Sequence, residues 1–203
     1  MVSLDKIVTK AGDKGKTRLA TGEEVSKHSA RVEAYGAVDE TNAALGVARL
    51  HTGAHVALDA ILLRIQNDLF DLGADLATPE NRQDGRDKPL AFEALRIQDG
   101  QVERLEREID EINARLAPLT SFIVPAGSPA ATHLHFARTV ARRAERAIAR
   151  LMDEPGERVS PAAFKYMNRL SDLLFVAARA ANNEGRADVL WAPGATRAHA
   201  SGD

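Results

Sequence analysis

Cysteine is absent from the 203 residues, which excludes structural disulfides and thiolate-held metals and fits a reducing compartment, here read as the cytoplasm. Aromatic residues are scarce, at 4%, and the chain is rich in Ala, Leu, Glu and Arg, which lose little entropy in a helix. Long apolar runs are also missing. The longest strongly apolar run covers 173–178, far short of the roughly 20 residues needed to span a bilayer. The opening Met1-Val2-Ser3-Leu4-Asp5-Lys6 has no apolar h-region of a secretory signal. A membrane partner is therefore not expected. Excess charge of one sign is lacking too. A net charge of −2 argues against a nucleic-acid partner, whose binding surface is broadly basic.

What is present is helical periodicity. The spacing predicts helices over about 31–50, 55–77, 95–116, 129–152 and 161–184. In the third, Val102, Leu105, Ile109, Ile112 and Leu116 step by three and four. Ser128-Pro129 and Ser160-Pro161 each place a capping hydroxyl before a proline suited to the first helical position. Residues 1–27 show no helical period and read as an extended, glycine-rich arm with a short β-like run at Ile7-Val8-Thr9. The polar stretch 78–89 reads as a mobile surface loop, and the tail over 188–203 as frayed. The expectation is an all-α, five-helix up-and-down bundle over 31–184, in a single domain of 1–203 with an N-terminal arm.

Two basic segments invite chemistry. Gly12-Asp13-Lys14-Gly15-Lys16-Thr17 resembles a P-loop, but Lys10 stands where the leading glycine belongs and no helix pattern follows Thr17. A weaker anion-binding reading survives. Gly12 and Gly15 let backbone N–H groups approach a phosphate, Thr9 and Thr17 offer hydroxyls, and Lys10, Lys14, Lys16 and Lys27 offer charge. A solvated basic turn is the alternative. In the fourth helix, Arg138, Arg142 and Arg146 recur every four residues and form one stripe. Like charges so placed repel unless an anion joins them, and Glu145 is placed to orient a guanidinium. The alternative is a surface stripe neutralised by acids of neighbouring helices.

Other candidates are less specific. His133 and His135 lie two apart and point to different faces, and no Glu-x-x-His occurs, so a di-metal bundle is disfavoured. Asp39 lies in a polar part of the first helix. Asn168, Arg169 and Asp172 form a polar patch on the fifth. Phe122-Ile123-Val124-Pro125 leads into the arginine helix, either as a core plug or as a place where a flat apolar ligand meets an anion site.

Taken together these segments resemble the PduO-type ATP:cob(I)alamin adenosyltransferases. The resemblance rests on Thr9-Lys10-x-Gly12-Asp13-x-Gly15-x-Thr17, on Arg31-Val32-Glu33-Ala34-Tyr35-Gly36-x-Val38-Asp39-Glu40 and on Ile65-Gln66-x-x-Leu69-Phe70-x-Leu72-Gly73. It continues through Phe122-x-x-Pro125-x-Gly127, Leu134-His135-x-Ala137-Arg138, Arg142-Arg143-Ala144-Glu145-Arg146 and Asn168-Arg169-Leu170-Ser171-Asp172. It covers roughly residues 5–185. Ala11 and Lys16 replace threonine-like residues, and Ala126 replaces the first glycine of a usual Pro-Gly-Gly.

The resemblance implies transfer of the 5′-deoxyadenosyl group of ATP to cob(I)alamin, with release of triphosphate. It implies a homotrimer with active sites between subunits. ATP, carrying Mg²⁺ on its phosphates, would be held by Thr9, Lys10, Gly12, Asp13, Gly15, Thr17, Lys27, Arg142, Glu145, Arg146 and Asn168. Asp39 would reach Arg138 across the interface near the corrinoid. Phe122 would press on the lower face of cob(II)alamin and favour its reduction. A flavin-type reductase and a cobalamin-dependent mutase are the implied partners. A non-catalytic adenosylcobalamin carrier is the competing reading of the same residues.

Overall fold

The computed structural model describes residues 8, 10–80, 82–83, 86–87, 90 and 92–197. Its elements are β1 (Lys16–Arg18), β2 (Glu24–Ser26), α1 (Ala30–Arg49), α2 (Val56–Leu76), β3 (Arg82–Gln83), β4 (Arg86–Asp87), α3 (Asp99–Asn113), α4 (Pro129–Asp153) and α5 (Pro161–Ala180). The five expected helices are all there. The third and fifth are shorter than periodicity suggested, because Ala114 and Ala181 close them and the chain then turns.

Both Ser-Pro signals act as written. Ser128 Oγ accepts from Ala131 N and Ser160 Oγ from Ala163 N, each at 3.1 Å, with the proline at the first helical position needing no hydrogen bond of its own. Consecutive helices run up and down. α1 packs on α2 and α4, α4 on α5, and α5 on α3. Side chains close the ring between α2 and α3: Asp68 accepts from Gln101 at 2.9 Å, and Arg64 binds Glu108. The main core cluster is mostly Ala, Leu, Ile and Val, with Tyr166 fully buried and its hydroxyl donating to Asp68 at 3.0 Å, and a smaller cluster joins Ile112, Leu116 and Val176. Its many alanines (34, 37, 44, 137, 141, 144) let α1 and α4 approach closely.

One end of the bundle is fastened by Arg31. This buried side chain donates to Glu157 (Nε, 3.0 Å), to the Leu76 carbonyl at the end of α2, and to the Arg158 carbonyl in the α4–α5 turn. The arm sits at that end. It is not uniformly extended: β1 and β2 pair antiparallel, with Thr17 opposite Val25. Leu19 is buried, and Ala20 N donates to Ala77 O at 3.0 Å. The loop after α2 also carries a small hairpin, β3 with β4. The start of the tail is not frayed either, since Ile123 and Leu190 form an isolated antiparallel bridge. No described helix is long and apolar enough to cross a membrane.

Candidate active site

The register of α4 decides what its arginines can do. Ala137, Val140, Ala141, Ala144, Ile148 and Leu151 are all buried in the core. That forces 138, 142 and 146 to the margin of the helix, with Arg138 half-buried and Arg142 and Arg146 exposed. Among the described residues, none of these three guanidiniums has a carboxylate within salt-bridge reach. Arg138 Nε is buried without a partner. Burial, and then the charge of Arg142, hold the Arg138 guanidinium below its ordinary value. Among the described residues, Arg146 donates only to the Arg142 carbonyl, at 3.0 Å. Neutralisation by neighbouring acids applies to other arginines: Arg143 pairs with Glu40 of α1, and Arg150 lies 3.9 Å from Glu154. Among the described residues, the stripe itself is left with no carboxylate at ion-pair distance.

Glu145 does not orient a guanidinium, contrary to the expectation from spacing. It accepts from Asn168 Nδ2 at 2.8 Å. The α4–α5 packing brings 145 opposite 168 and leaves Arg142 and Arg146 pointing outward. Asn168 Oδ1 in turn accepts from Arg169 at 2.6 Å, and Arg169 is held by Glu106 of α3 at 2.7 Å. Burial pushes the nearby Asp172 carboxyl up; Arg169 and Arg142 oppose the rise and Glu145 adds to it. Arg142, Glu145, Asn168 and Asp172 therefore form one electrostatically coupled patch.

Beside Arg138 a cavity of about 630 Å³ opens, lined by Leu119, Ser121, Phe122, Ile123, Phe175 and Trp191. Phe122 is 77% exposed, so the loop before α4 is not a core plug. The cavity gives a flat apolar surface that ends at a guanidinium. His135 lies beneath it, buried, with its ring 6.2 Å from Phe175. His133 turns away and stacks on His51. Among the described residues, no group of three His, Cys, Asp or Glu side chains could hold a metal.

The arm residues gather separately. Thr9 lies outside the described residues. Lys10 has φ +59° and Gly15 φ +74°, so the loop between them is a tight turn that the glycine makes easily. Gly12 leaves room for Lys27, whose ammonium would be 2.7 Å from any Cβ placed there. Lys27 N donates to Gly15 O at 2.9 Å. Burial pushes the Tyr35 phenol of α1 up, and the nearby Thr17 hydroxyl partly opposes the rise. Asp13 and Lys14 are exposed, and Lys16 is taken by Glu24 at 2.8 Å. Asp39 is exposed on α1 and lines a groove of about 440 Å³ between α1 and α2 with Tyr35, Gly36 and Phe70. Among the described residues, no hydrogen bond or ion pair of residues 12–27 reaches α4 or α5, and none joins Asp39 to Arg138.

Residues 7–181 match the family described as cobalamin adenosyltransferase. The chain belongs to that family. A corrinoid adenosyltransferase from Mycobacterium tuberculosis is 46% identical over 198 residues, 97% of each chain. One from Bacillus subtilis is 41% identical over 188 residues, 91% of each. Among solved structures, a variant PduO-type ATP:corrinoid adenosyltransferase from Lactobacillus reuteri, complexed with cobalamin and ATP, superposes with a TM-score of 0.81 at 39% identity. That match covers 93% of this chain and 97% of the other.

The glycine after Ala126 has no room for a side chain. Gly127 has φ +114°, and a Cβ there would sit 2.7 Å from Asn182 Cγ. Sequence reasoning missed Phe175 and Trp191 as cavity residues. The signal for the second was available, because the one tryptophan of this adenosyltransferase chain closes a short apolar run, Val189-Leu190-Trp191, before a small and polar end.

Proposed function

We infer that the protein transfers the 5′-deoxyadenosyl group of ATP to cob(I)alamin, giving adenosylcobalamin and inorganic triphosphate. The observation that carries this is the Arg138–Arg142–Arg146 track, without an ion-pair partner among the described residues, ending at the Phe122 cavity. An anion and a flat apolar ligand can meet there. Cob(I)alamin is itself the nucleophile. Its cobalt bonds to C5′ of the ribose as the C5′–O bond breaks, and the bonding electrons leave with the triphosphate. No general base is required. The residues have two tasks: to hold C5′ in line with cobalt, and to meet the charge growing on the leaving group with fixed donors. Arg142 and Arg146 take the second task, with Glu145 and Asn168 fixing the nucleotide beside them. Arm residues Thr9, Lys10, Gly12, Asp13, Gly15, Thr17 and Lys27 hold the triphosphate from the other side.

The arm bonds to α1 and α2, and the arginine track lies on α4 and α5, which supports a site completed between copies of the chain. In this reading the copies form a homotrimer, and Asp39 of one reaches Arg138 of the next. The buried, unpartnered Nε of Arg138 suits such a carboxylate. Mg²⁺ arrives on the ATP phosphates, whose remaining charge suits the lysine and hydroxyl groups of the arm. Phe122 presses on the corrinoid and favours reduction of cob(II)alamin. A flavin-type reductase supplying electrons and a cobalamin-dependent mutase accepting the product complete the proposed partners.

The test is direct. Purified protein given chemically reduced cob(I)alamin, ATP and Mg²⁺ is to produce the adenosylcobalamin spectrum and one triphosphate per corrinoid. An unchanged spectrum overturns the reading. Phe122→Ala is to slow turnover from cob(II)alamin more than turnover from cob(I)alamin, and equal losses refute its assigned role.

A further inference from the structure

Phe122 stands on a loop with little core of its own, yet both ends of that loop are tied to one small buried group. Arg179, at the end of α5, donates from Nε to Asp188 Oδ2 at 2.8 Å, and the two side chains are only 5% and 4% exposed. The same guanidinium donates from Nη2 to the Ala117 carbonyl at 2.8 Å, ahead of Phe122. Asn182 donates to Asp188 Oδ1 at 3.1 Å and accepts from Ser128 N at 3.0 Å, behind Phe122.

The chain reaches this geometry by a strained reversal. Asn183, Glu184 and Gly185 all have positive φ, and two of them are not glycine. The reversal sends 189–191 back alongside the loop. Val189 O accepts from Val124 N at 2.8 Å, and Trp191 N donates to Phe122 O at 2.7 Å. Ser121 Oγ then donates to the Trp191 carbonyl at 2.8 Å, and the Phe122 and Trp191 rings lie 6.0 Å apart.

A buried ion pair is a poor source of net stability, because desolvation offsets its attraction; its best-attested use is to fix geometry. We propose that Arg179 and Asp188, with Asn182, are positioning residues of the adenosyltransferase reaction: a clamp that sets the place of Phe122 against the corrinoid while touching neither substrate. The proposal rests on the corrinoid reading of the Phe122 cavity.

The test compares Asp188→Asn with the paired change Arg179→Met plus Asp188→Leu, which removes both charges and keeps an apolar fill. Turnover is measured from cob(I)alamin and from cob(II)alamin with reductant, alongside thermal melts and the absorption spectrum of bound cob(II)alamin with ATP. The paired variant is to stay folded and to lose about tenfold from cob(II)alamin, with a loss under about threefold from cob(I)alamin at saturating substrate. Its bound cob(II)alamin spectrum is to revert towards that of the free corrinoid. Equal losses from both states, or no loss in a folded variant, overturn the clamp. So does failure of both variants to fold, which makes the pair a plain requirement of the bundle. Wild-type protein that does not adenosylate cob(I)alamin refutes the functional reading itself. An active wild type whose Phe122→Ala variant shows the split, beside clamp variants that do not, refutes only the clamp.

Discussion

The arm and the α4 face both present cationic side chains, but by different construction. On α4 the guanidiniums of Arg138, Arg142 and Arg146 are set by a 25-residue helix whose opposite face is locked in the core. In the arm, Lys27 and Lys10 are set by two three-residue strands and the turn before them, and Lys16 spends its charge on Glu24. The helical half is therefore fixed before ligand arrives, and the arm half is held by few contacts. A fixed field suits the transition state, in which charge develops on the leaving group. A lightly held arm suits capture of the nucleotide in the ground state.

Breaking each half tests that division. Arg142→Ala is expected to have the largest effect, lowering kcat by about 100-fold with an unchanged melting temperature, because the side chain is exposed and unpaired. Steady-state rates from chemically reduced cob(I)alamin measure it, and a change confined to KM would reverse the assignment. Gly12→Ala is expected to act more mildly. A Cβ there displaces the Lys27 ammonium, the flexible end of its side chain. The loss of one exposed charge contact, about 1 kcal/mol, raises KM for ATP roughly fivefold and leaves kcat in place.

The smallest effect is a pH dependence that belongs to the helical half alone. Burial, and then Arg138, hold the His135 imidazole below its ordinary range, with Asp188 opposing. The folded state thus keeps His135 neutral where the unfolded chain already binds a proton. Its contribution is complete above the unfolded imidazole pKa and is lost as pH falls through that value towards the folded one. Melting temperature should decline between about pH 7 and pH 5, and His135→Gln should flatten that decline. An unaltered slope would show that His135 is not the group responsible.

Much of the bundle was legible because its signals are local. Steps of three and four, and a serine before a proline, can be read without knowing what lies opposite. The arginine stripe was legible for the same reason. The β1–β2 hairpin was not, because strands of three residues show no alternation to read. Glu145 was assigned an arginine because sequence offers neighbours three and four away, and it cannot show that α5 brings Asn168 to the same place. Nor could it show that the tail returns to Phe122, since the contacts that guide it join residues about 70 apart, such as Ser121 with Trp191.

Arg31 has a consequence for how the enzyme meets its nucleotide. By holding the start of α1, the end of α2 and the α4–α5 turn to one guanidinium, it removes slack from the end of the bundle on which the arm is mounted. In the proposed site, the entropy lost when ATP is enclosed would then fall mainly on the arm residues. Loosening Arg31 would spread that loss into the helices and make a single motion of the arm into a reshaping of the whole frame.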